Sequence, residues 1–437
     1  MNDKNDLENL KQNTSKMDSQ SKVDLVDPTI KEKLKTENIF KILNQFIIPV
    51  ISKQEREFLE ELEEFLLKEI EPKIDLNKMV YELFPILGKV NLMQRINPHN
   101  MRRVGFRYEI ILAICLSIID PELDLARVVS GIIFSNPLYQ YGKDNPKLKN
   151  IFEEVITGRK IGCICITERN HGSDAVNMET RIRDNGEYLT ISGEKIFTTN
   201  GPVADYFIVY GVEDPGKPRE TMYQVLVENG MEGLETHRIN IEAAPRVAIG
   251  QTIFHNVKVP KENIIGNKGQ GYQNLFKGLV AERDAIIGSS LGISWLVAVS
   301  ALIYSNFRKQ FGVPIFEFQS VSYPLTELFI NLMAATELGF KSAGLYDKFF
   351  NSSKYDKRSE VIKFGAAFSS GTKFLTSKLA HQIAYESQQL CGGIAYTDNL
   401  KINRAVEIAK LQEIIGGTRN IQLNIVSRSI KNMIKRI

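Results

Sequence analysis

The sequence predicts a mainly α-helical protein with a β domain at its centre. Three observations carry this. Apolar residues recur at helical spacing from about residue 42 to 158. Short strand-like runs with turn residues between them fill the stretch after Lys160. Helical spacing then returns after Gly269-Gln270-Gly271 and holds to the C-terminus. Strands gathered between two helical runs argue for segregated domains and against alternating βαβ units. A chain of 437 residues has room for two or three domains. The expected division is a flexible tail at 1–41, a helical domain at 42–160, a β domain at 161–271 and a helical domain at 272–437.

Each element has its own signal. The tail is rich in Asn, Lys, Asp, Ser and Gln and poor in aromatics, with a short helix expected near its end. The stretch 55–66 is amphipathic, with Phe58, Leu62, Phe65 and Leu66 on one side and a solvated acidic remainder. The apolar run 110–119 stops at Asp120-Pro121 and reads as a core helix. No apolar run reaches the roughly 18 residues that cross a bilayer, so no membrane span is expected. Strands are expected at 188–193, 204–210, 222–227 and 252–260. Pro314, Pro324, Gly392-Gly393 and Gly416-Gly417 punctuate the last helical region.

Composition removes several function classes. Hydrophobic residues make up 43% and charged residues 24%, ordinary values for a globular chain. A net charge of +3, from 55 basic and 52 acidic residues, gives no nucleic-acid signal. Four cysteines argue against a disulfide scaffold and fit a reducing compartment, so a cytoplasmic location is expected. Asp3, Asp6 and Glu8 stand where a transit peptide would lack acids, and no apolar signal region precedes them. Cys163 and Cys165 are expected on opposite faces of a strand, unable to pair. Only His171 stands near enough to join them, so no metal is expected.

Glu282 is the most informative residue. It interrupts the helical stripe Leu275, Leu279, Ile286, Ile293. The positions three and four away are Gly278, Leu279, Ala285 and Ile286, so no local ion pair accounts for the charge. A carboxylate among apolar groups has a raised pKa and serves as a proton acceptor near neutral pH. A partner from elsewhere in the fold, or simple exposure, would explain it equally well at this point.

Two turn-rich segments could hold a cofactor. The run Thr167-Glu168-Arg169-Asn170-His171-Gly172-Ser173-Asp174 offers backbone donors and short polar side chains. The run Lys195-Ile196-Phe197-Thr198-Thr199-Asn200-Gly201 sets an aromatic beside hydroxyls, though a strand ending in an Asn-Gly turn looks the same. Together with Ala204-Asp205, the 308–315 run Arg-Lys-Gln-Phe-Gly-Val-Pro-Ile, Phe318-Gln319, the 389–396 run and Gly417-Thr418, these resemble the acyl-CoA dehydrogenase family over roughly residues 50 to 430.

That resemblance implies an N-terminal α-helical domain, a middle β-barrel-like domain and a C-terminal four-helix bundle, assembled as a homodimer or homotetramer. It implies FAD as cofactor, an acyl thioester as substrate and an electron-transfer flavoprotein as electron acceptor. By position, Ile166, Thr167 and Ser173 would line the flavin, with Phe197 beside its ring system and Thr199 at its edge. Arg308, Phe311 and Gln319 would hold the FAD of a neighbouring subunit, a guanidinium suiting the pyrophosphate. Gln389, Gly392 and Gly393 would approach the cofactor by backbone, and Thr418 and Asn420 would meet its adenosine side. Ser173, Arg283 and Gly417 would bind substrate.

The departures bear on the base and the substrate. Many members carry the catalytic glutamate directly before Gly-Thr, where this chain has Gly416. A minority, including isovaleryl-CoA dehydrogenase, place it in a Glu-Arg pair after Gly-Leu-x-x, which matches Glu282-Arg283 here. Glu413 is then structural. Arg169-Asn170-His171 replaces a small triplet, and Val280 replaces an acid. The reading is FAD-dependent α,β-dehydrogenation of an acyl thioester with Glu282 as base. The alternatives are the same oxidation on a carrier-bound acyl group, an oxidase or monooxygenase on the same fold, and a non-catalytic assembly relative.

Overall fold

The structure, a computed structural model, describes residues 25–98, 101–142, 144–349, 360–397 and 400–435. Helices begin ahead of the expected boundary at 42, with α1 at Pro28–Lys33 and α2 at Thr36–Ile47. The reason is burial: Ile30, Ile39, Phe40 and Leu43 enter the main core, so this part of the expected tail is packed. Residues 1–24 of that tail lie outside the described residues. Helix α3 (Lys53–Phe65) opens with a capping box, Ser52 and Glu55 each bonding the other's backbone N–H. After α4 (Phe84–Lys89) comes α5 (Phe106–Ile119), the apolar run read from sequence, buried on nearly every side. Asp120 caps α6 (Pro121–Val128) by accepting from the N–H groups of Glu122 and Leu123. Helices α7 (Ser135–Tyr141) and α8 (Pro146–Ile156) complete this region.

The middle region is a curled seven-stranded sheet in the order β1-β4-β2-β3-β7-β6, with β5 paired to β4. The strands are β1 (Gly162–Cys165), β2 (Arg181–Asp184), β3 (Tyr188–Thr199), β4 (Tyr206–Val212), β5 (Met222–Glu228), β6 (Leu234–Ile239) and β7 (Ile249–Pro260). A short helix, α9 (Pro218–Thr221), links β4 to β5. Strand β3 runs twice as far as the sequence suggested, because two register shifts against β7 let it bend without ending. Cys163 and Cys165 enter the same buried cluster and are free thiols. The expectation of opposite faces was wrong: residues two apart on a strand share a face.

The C-terminal region is built on α10 (Gly271–Phe307), whose 37 residues form a rod about 55 Å long at 1.5 Å per residue. A small hairpin, β8 (Lys309–Gln310) and β9 (Val313–Pro314), leads to α11 (Gln319–Phe349), α12 (Glu360–Cys391), α13 (Ile402–Ile414) and α14 (Arg419–Ile434). Helix α12 packs against α10, α11, α13 and α14. The expectation that no stretch is apolar enough to cross a membrane needs correcting. An 18-residue window of α10 qualifies by length and composition, and 94% of that window is buried inside the protein. Serines such as Ser290, Ser294 and Ser300 disguise the apolar run in the sequence; two of them turn their hydroxyls onto the carbonyl four residues back, Ser294 to Ser290 and Ser300 to Leu296.

Candidate active site

A cleft of about 690 Å³ opens where the β region meets the C-terminal helices. One wall is the loop after β1, with Ile166, Thr167 and Ser173. A second is the β4–β5 connection, with Lys217 and Arg219. A third is the first part of α10, from Tyr272 to Arg283, and the fourth is the α13–α14 turn with Gly416, Gly417 and Ile421. The cleft therefore gathers Ile166, Thr167, Ser173, Glu282, Arg283 and Gly417, six of the residues singled out from sequence.

Glu282 is half-buried on the cleft wall. It makes no hydrogen bond or ion pair among the described residues. Loss of water pushes its carboxyl up to about 6, against the opposing pull of Arg283 and Lys373. The carboxylate is thus unpartnered, faces a cavity and titrates just below neutrality, the properties a general base requires. Of the readings left open by the sequence, a structural partner is excluded among the described residues.

Gly416 lies against it. A Cβ built on Gly416 would sit 3.4 Å from both Cγ and Cδ of Glu282 and 2.5 Å from Ile286 Cδ1. The two alternative base positions converge on one point in space. Gly416 and Gly417 both have positive φ, +63° and +92°, which glycine adopts without strain. Their carbonyls are clamped: Gln422 Nε2 donates to Gly416 O at 3.0 Å and Gly417 O at 2.7 Å, and Lys373 Nζ donates to Gly417 O at 3.1 Å. Glu413, read from sequence as structural, is buried behind the turn and draws in His381, Lys410 and Arg419 at 3.3, 3.3 and 3.5 Å.

Arg283 is buried beside Glu282, and its Nε has no hydrogen-bond partner among the described residues. Burial pulls its pKa down while Glu282 and Asp284 support the charge. A buried guanidinium N–H without a partner among the described residues is uncommon and calls for an explanation. Its neighbour Asp284 turns the other way and accepts from Ser342 of α11 at 2.6 Å and Ser369 of α12 at 3.1 Å.

The loop after β1 is held from below by a residue not marked as a site from sequence. Lys195 is fully buried and pairs with Glu168 at 2.8 Å while donating to Ile166 O at 3.0 Å. Glu168 also accepts from the N–H groups of Glu179 and Thr180. Ile196 N donates to Thr167 O at 2.8 Å. These bonds weld the loop to the second bulge of β3, where Phe197 takes φ +54° and stands 55% exposed. Thr199 closes the strand and is half-buried. Arg169 pairs outward with Glu194 and His171 leans on Glu179, so the altered triplet faces away from the cleft.

Phe197 and Thr199 lie outside the cleft, as do Arg308, Phe311, Gln319, Gln389, Gly392, Gly393, Thr418 and Asn420. Arg308, Phe311 and Gln319, at the hairpin and the start of α11, are exposed, Phe311 at 93%. Gln389, Gly392 and Gly393 close α12 on the surface, and no atom lies within 4 Å of a Cβ built on either glycine. Thr418 and Asn420 open α14, also near the surface. Within one chain, then, the sequence-marked residues form a cleft set and a second set outside the cleft, most of it exposed. Lys195, Lys373 and Gln422 were missed. A lone Lys in the small-residue run Ser369-Ser370-Gly371-Thr372 was the one available signal for Lys373.

Residues 163–257 match the family model for the acyl-CoA dehydrogenase middle domain, and residues 269–431 match that for the acyl-CoA dehydrogenase C-terminal domain, together more than half of the chain. Over 302 residues the chain is 29% identical to the short-chain-specific acyl-CoA dehydrogenase of Megasphaera elsdenii, spanning 68% of this chain and 74% of that protein. It is 27% identical to the mitochondrial isovaleryl-CoA dehydrogenase of Oryza sativa subsp. japonica over 353 residues, 80% of this chain and 82% of the relative. The butyryl-CoA dehydrogenase structure from Megasphaera elsdenii shares the fold, with a TM-score of 0.79 at 24% identity over 87% of this chain and 98% of the other. The helical, curled-sheet and helical regions, the two matched family models and the motif order agree, and the chain belongs to the acyl-CoA dehydrogenase family.

Proposed function

We propose that this chain oxidises the α,β carbon–carbon bond of an acyl thioester, with FAD as cofactor and Glu282 as the base. The carrying observation is the convergence of an unpartnered Glu282 carboxylate and a side-chain-free Gly416 on one point of the cleft wall. A side chain at 416 would meet Ile286 Cδ1 at 2.5 Å and touch Glu282 at 3.4 Å; with glycine there, Glu282 has the position to itself.

The residues present fit the cofactor. Phe197 offers an uncovered aromatic ring at a fixed bulge, and the Thr167–Ser173 loop is rigidly supported by Lys195 and Glu168. Gly172, Gly392 and Gly393 each leave open the space a Cβ would fill, so a ligand can approach the backbone there. When bound, FAD supplies the two-electron acceptor for the β-hydride. Glu282 takes the α-proton, and the electron pair of that C–H bond becomes the new carbon–carbon double bond as the β-hydride departs. Arg283 and the Ser173 hydroxyl bind the pantetheine side of the thioester. Arg308, Phe311 and Gln319 serve a second subunit's cofactor, which makes the working unit a homodimer or homotetramer. Electrons then pass to an electron-transfer flavoprotein, and the four buried free thiols fit a reducing, cytoplasmic setting.

The test is anaerobic flavin bleaching with a panel of acyl-CoAs and carrier-bound acyl groups. Glu282→Gln is expected to keep the yellow flavin and lose reduction by roughly 10³-fold, within the range for a missing general base. Near-normal reduction in that variant would overturn the assignment. Bleaching by carrier-bound groups alone would move the substrate to a carrier protein.

A further inference from the structure

The cleft's electrostatics involve a cation that does not line it. Lys373 lies mid-way along α12 and is fully buried. Its Nζ donates to two main-chain carbonyls, Glu413 O at 3.2 Å and Gly417 O at 3.1 Å. It forms no ion pair among the described residues. The charged groups around it come from four helices, its own included. From α10 come Glu282 and Arg283, and from α13 comes Glu413 with Lys410. Arg419 of α14 and His381 of α12 reach Glu413 from behind. Glu413 is therefore answered three times over, by His381, Lys410 and Arg419. Glu282 is the carboxylate that most strongly supports the buried ammonium, and Lys373 in turn favours the ionised form of Glu282.

The geometry joins these facts. Gly417 O, held by Lys373, belongs to the same two-glycine turn whose Gly416 lies against Glu282. A buried ammonium normally costs several kcal/mol unless a charge and hydrogen bonds compensate it. Here carbonyls supply the hydrogen bonds, and Glu282 supplies the larger part of the compensating charge, with Glu413 the lesser part.

We propose that Lys373 is a positioning residue for proton abstraction: it ties the Gly416–Gly417 turn against Glu282 and adds a second cation to the field that Arg283 sets around that carboxylate. The proposal rests on Glu282 being the base, and its test separates the two. The pH dependence of flavin reduction is measured in the FAD-loaded protein for wild type, Lys373→Gln, Lys373→Met, Lys373→Arg and Glu282→Gln. Lys373→Gln keeps N–H donors for the turn but removes the charge. Its acidic limb is expected to move up, by less than the roughly one pH unit of a directly paired opposite charge. Lys373→Met loses donors and charge together, so the limb moves and the plateau rate also falls. Lys373→Arg returns the limb towards wild type. A purely structural lysine would lower rates without moving the limb, so unmoved limbs in both Gln and Met variants overturn the proposal. Failure of both to fold with flavin also overturns it, since folding would then be the whole role. Retained reduction in Glu282→Gln would instead refute the base.

Discussion

The Cβ that Gly416 lacks would stand 3.4 Å from the carboxyl carbon of Glu282. Two chain positions far apart in sequence thus meet at one point of the cleft wall. A base moved to residue 416 in a Glu282→Gln background is expected to recover part of the lost reduction. It must overcome a left-handed backbone at φ +63° and a 2.5 Å approach to Ile286 Cδ1. Adding Ile286→Ala to Gly416→Glu should therefore raise recovery about tenfold over Gly416→Glu alone, by stopped-flow bleaching; equal rates would show that the clash is not the obstacle.

The pH profile follows from the raised carboxyl of Glu282. A base titrating at about 6 accepts a proton only above that value, so reduction should fall tenfold per unit as pH drops below about 6. A limb near the ordinary 4.5 would mean that the carboxylate stays hydrated when substrate is bound.

Asp284 should set a pH dependence of stability instead of activity. Burial raises its carboxyl to about 7, from an ordinary 3.8. Between those values the folded chain binds a proton that the unfolded chain has lost, so stability falls from about pH 4 to pH 7 and levels off above. The fall amounts to at most about 4 kcal/mol. Asp284→Asn should show a smaller drop in Tm between pH 5 and pH 8 than wild type. An unchanged drop would place the titration elsewhere.

Lys195→Met strands the Glu168 carboxylate beneath the loop that carries Thr167 and Ser173. Removing one member of a buried pair costs about 3 kcal/mol or more. The variant is expected to purify with substoichiometric flavin and a lowered Tm. Full flavin occupancy would show that the loop is held without the pair.

Much of this was legible from residues, for physical reasons that differ by element. Glu282 stood out because a local rule, helical neighbours at three and four positions, left its charge unexplained. The stripe reasoning itself served only the first part of α10; from Asp284 to Ala301 the helix is buried all round and has no polar face to detect. Phe197 followed from a motif, but its exposure comes from a bulge, and alternation cannot announce a bulge. The packing of Ile39 and Phe40 was hidden by the polar residues around them. The role of Lys373 was hard to read because its partner carbonyl at Gly417 lies 44 residues away and is brought close by tertiary packing, while Gln422 folds back on the turn just before its own helix, a local contact that no periodicity announces.

The length of α10 has one more consequence. Glu282 lies on this rod and Arg308 directly follows its end, 26 residues on by number, or roughly 39 Å along its axis. One flavin dinucleotide does not reach from one to the other, so in the proposed assembly each subunit lends its arginine to its neighbour's chemistry. Two crippled subunits should then repair each other. Co-expressed Glu282→Gln and Arg308→Ala chains are expected to form mixed oligomers in which one site has lost both residues and the other has kept both. Half-site activity would emerge from two inactive parents, a form of shared inheritance written into a straight helix.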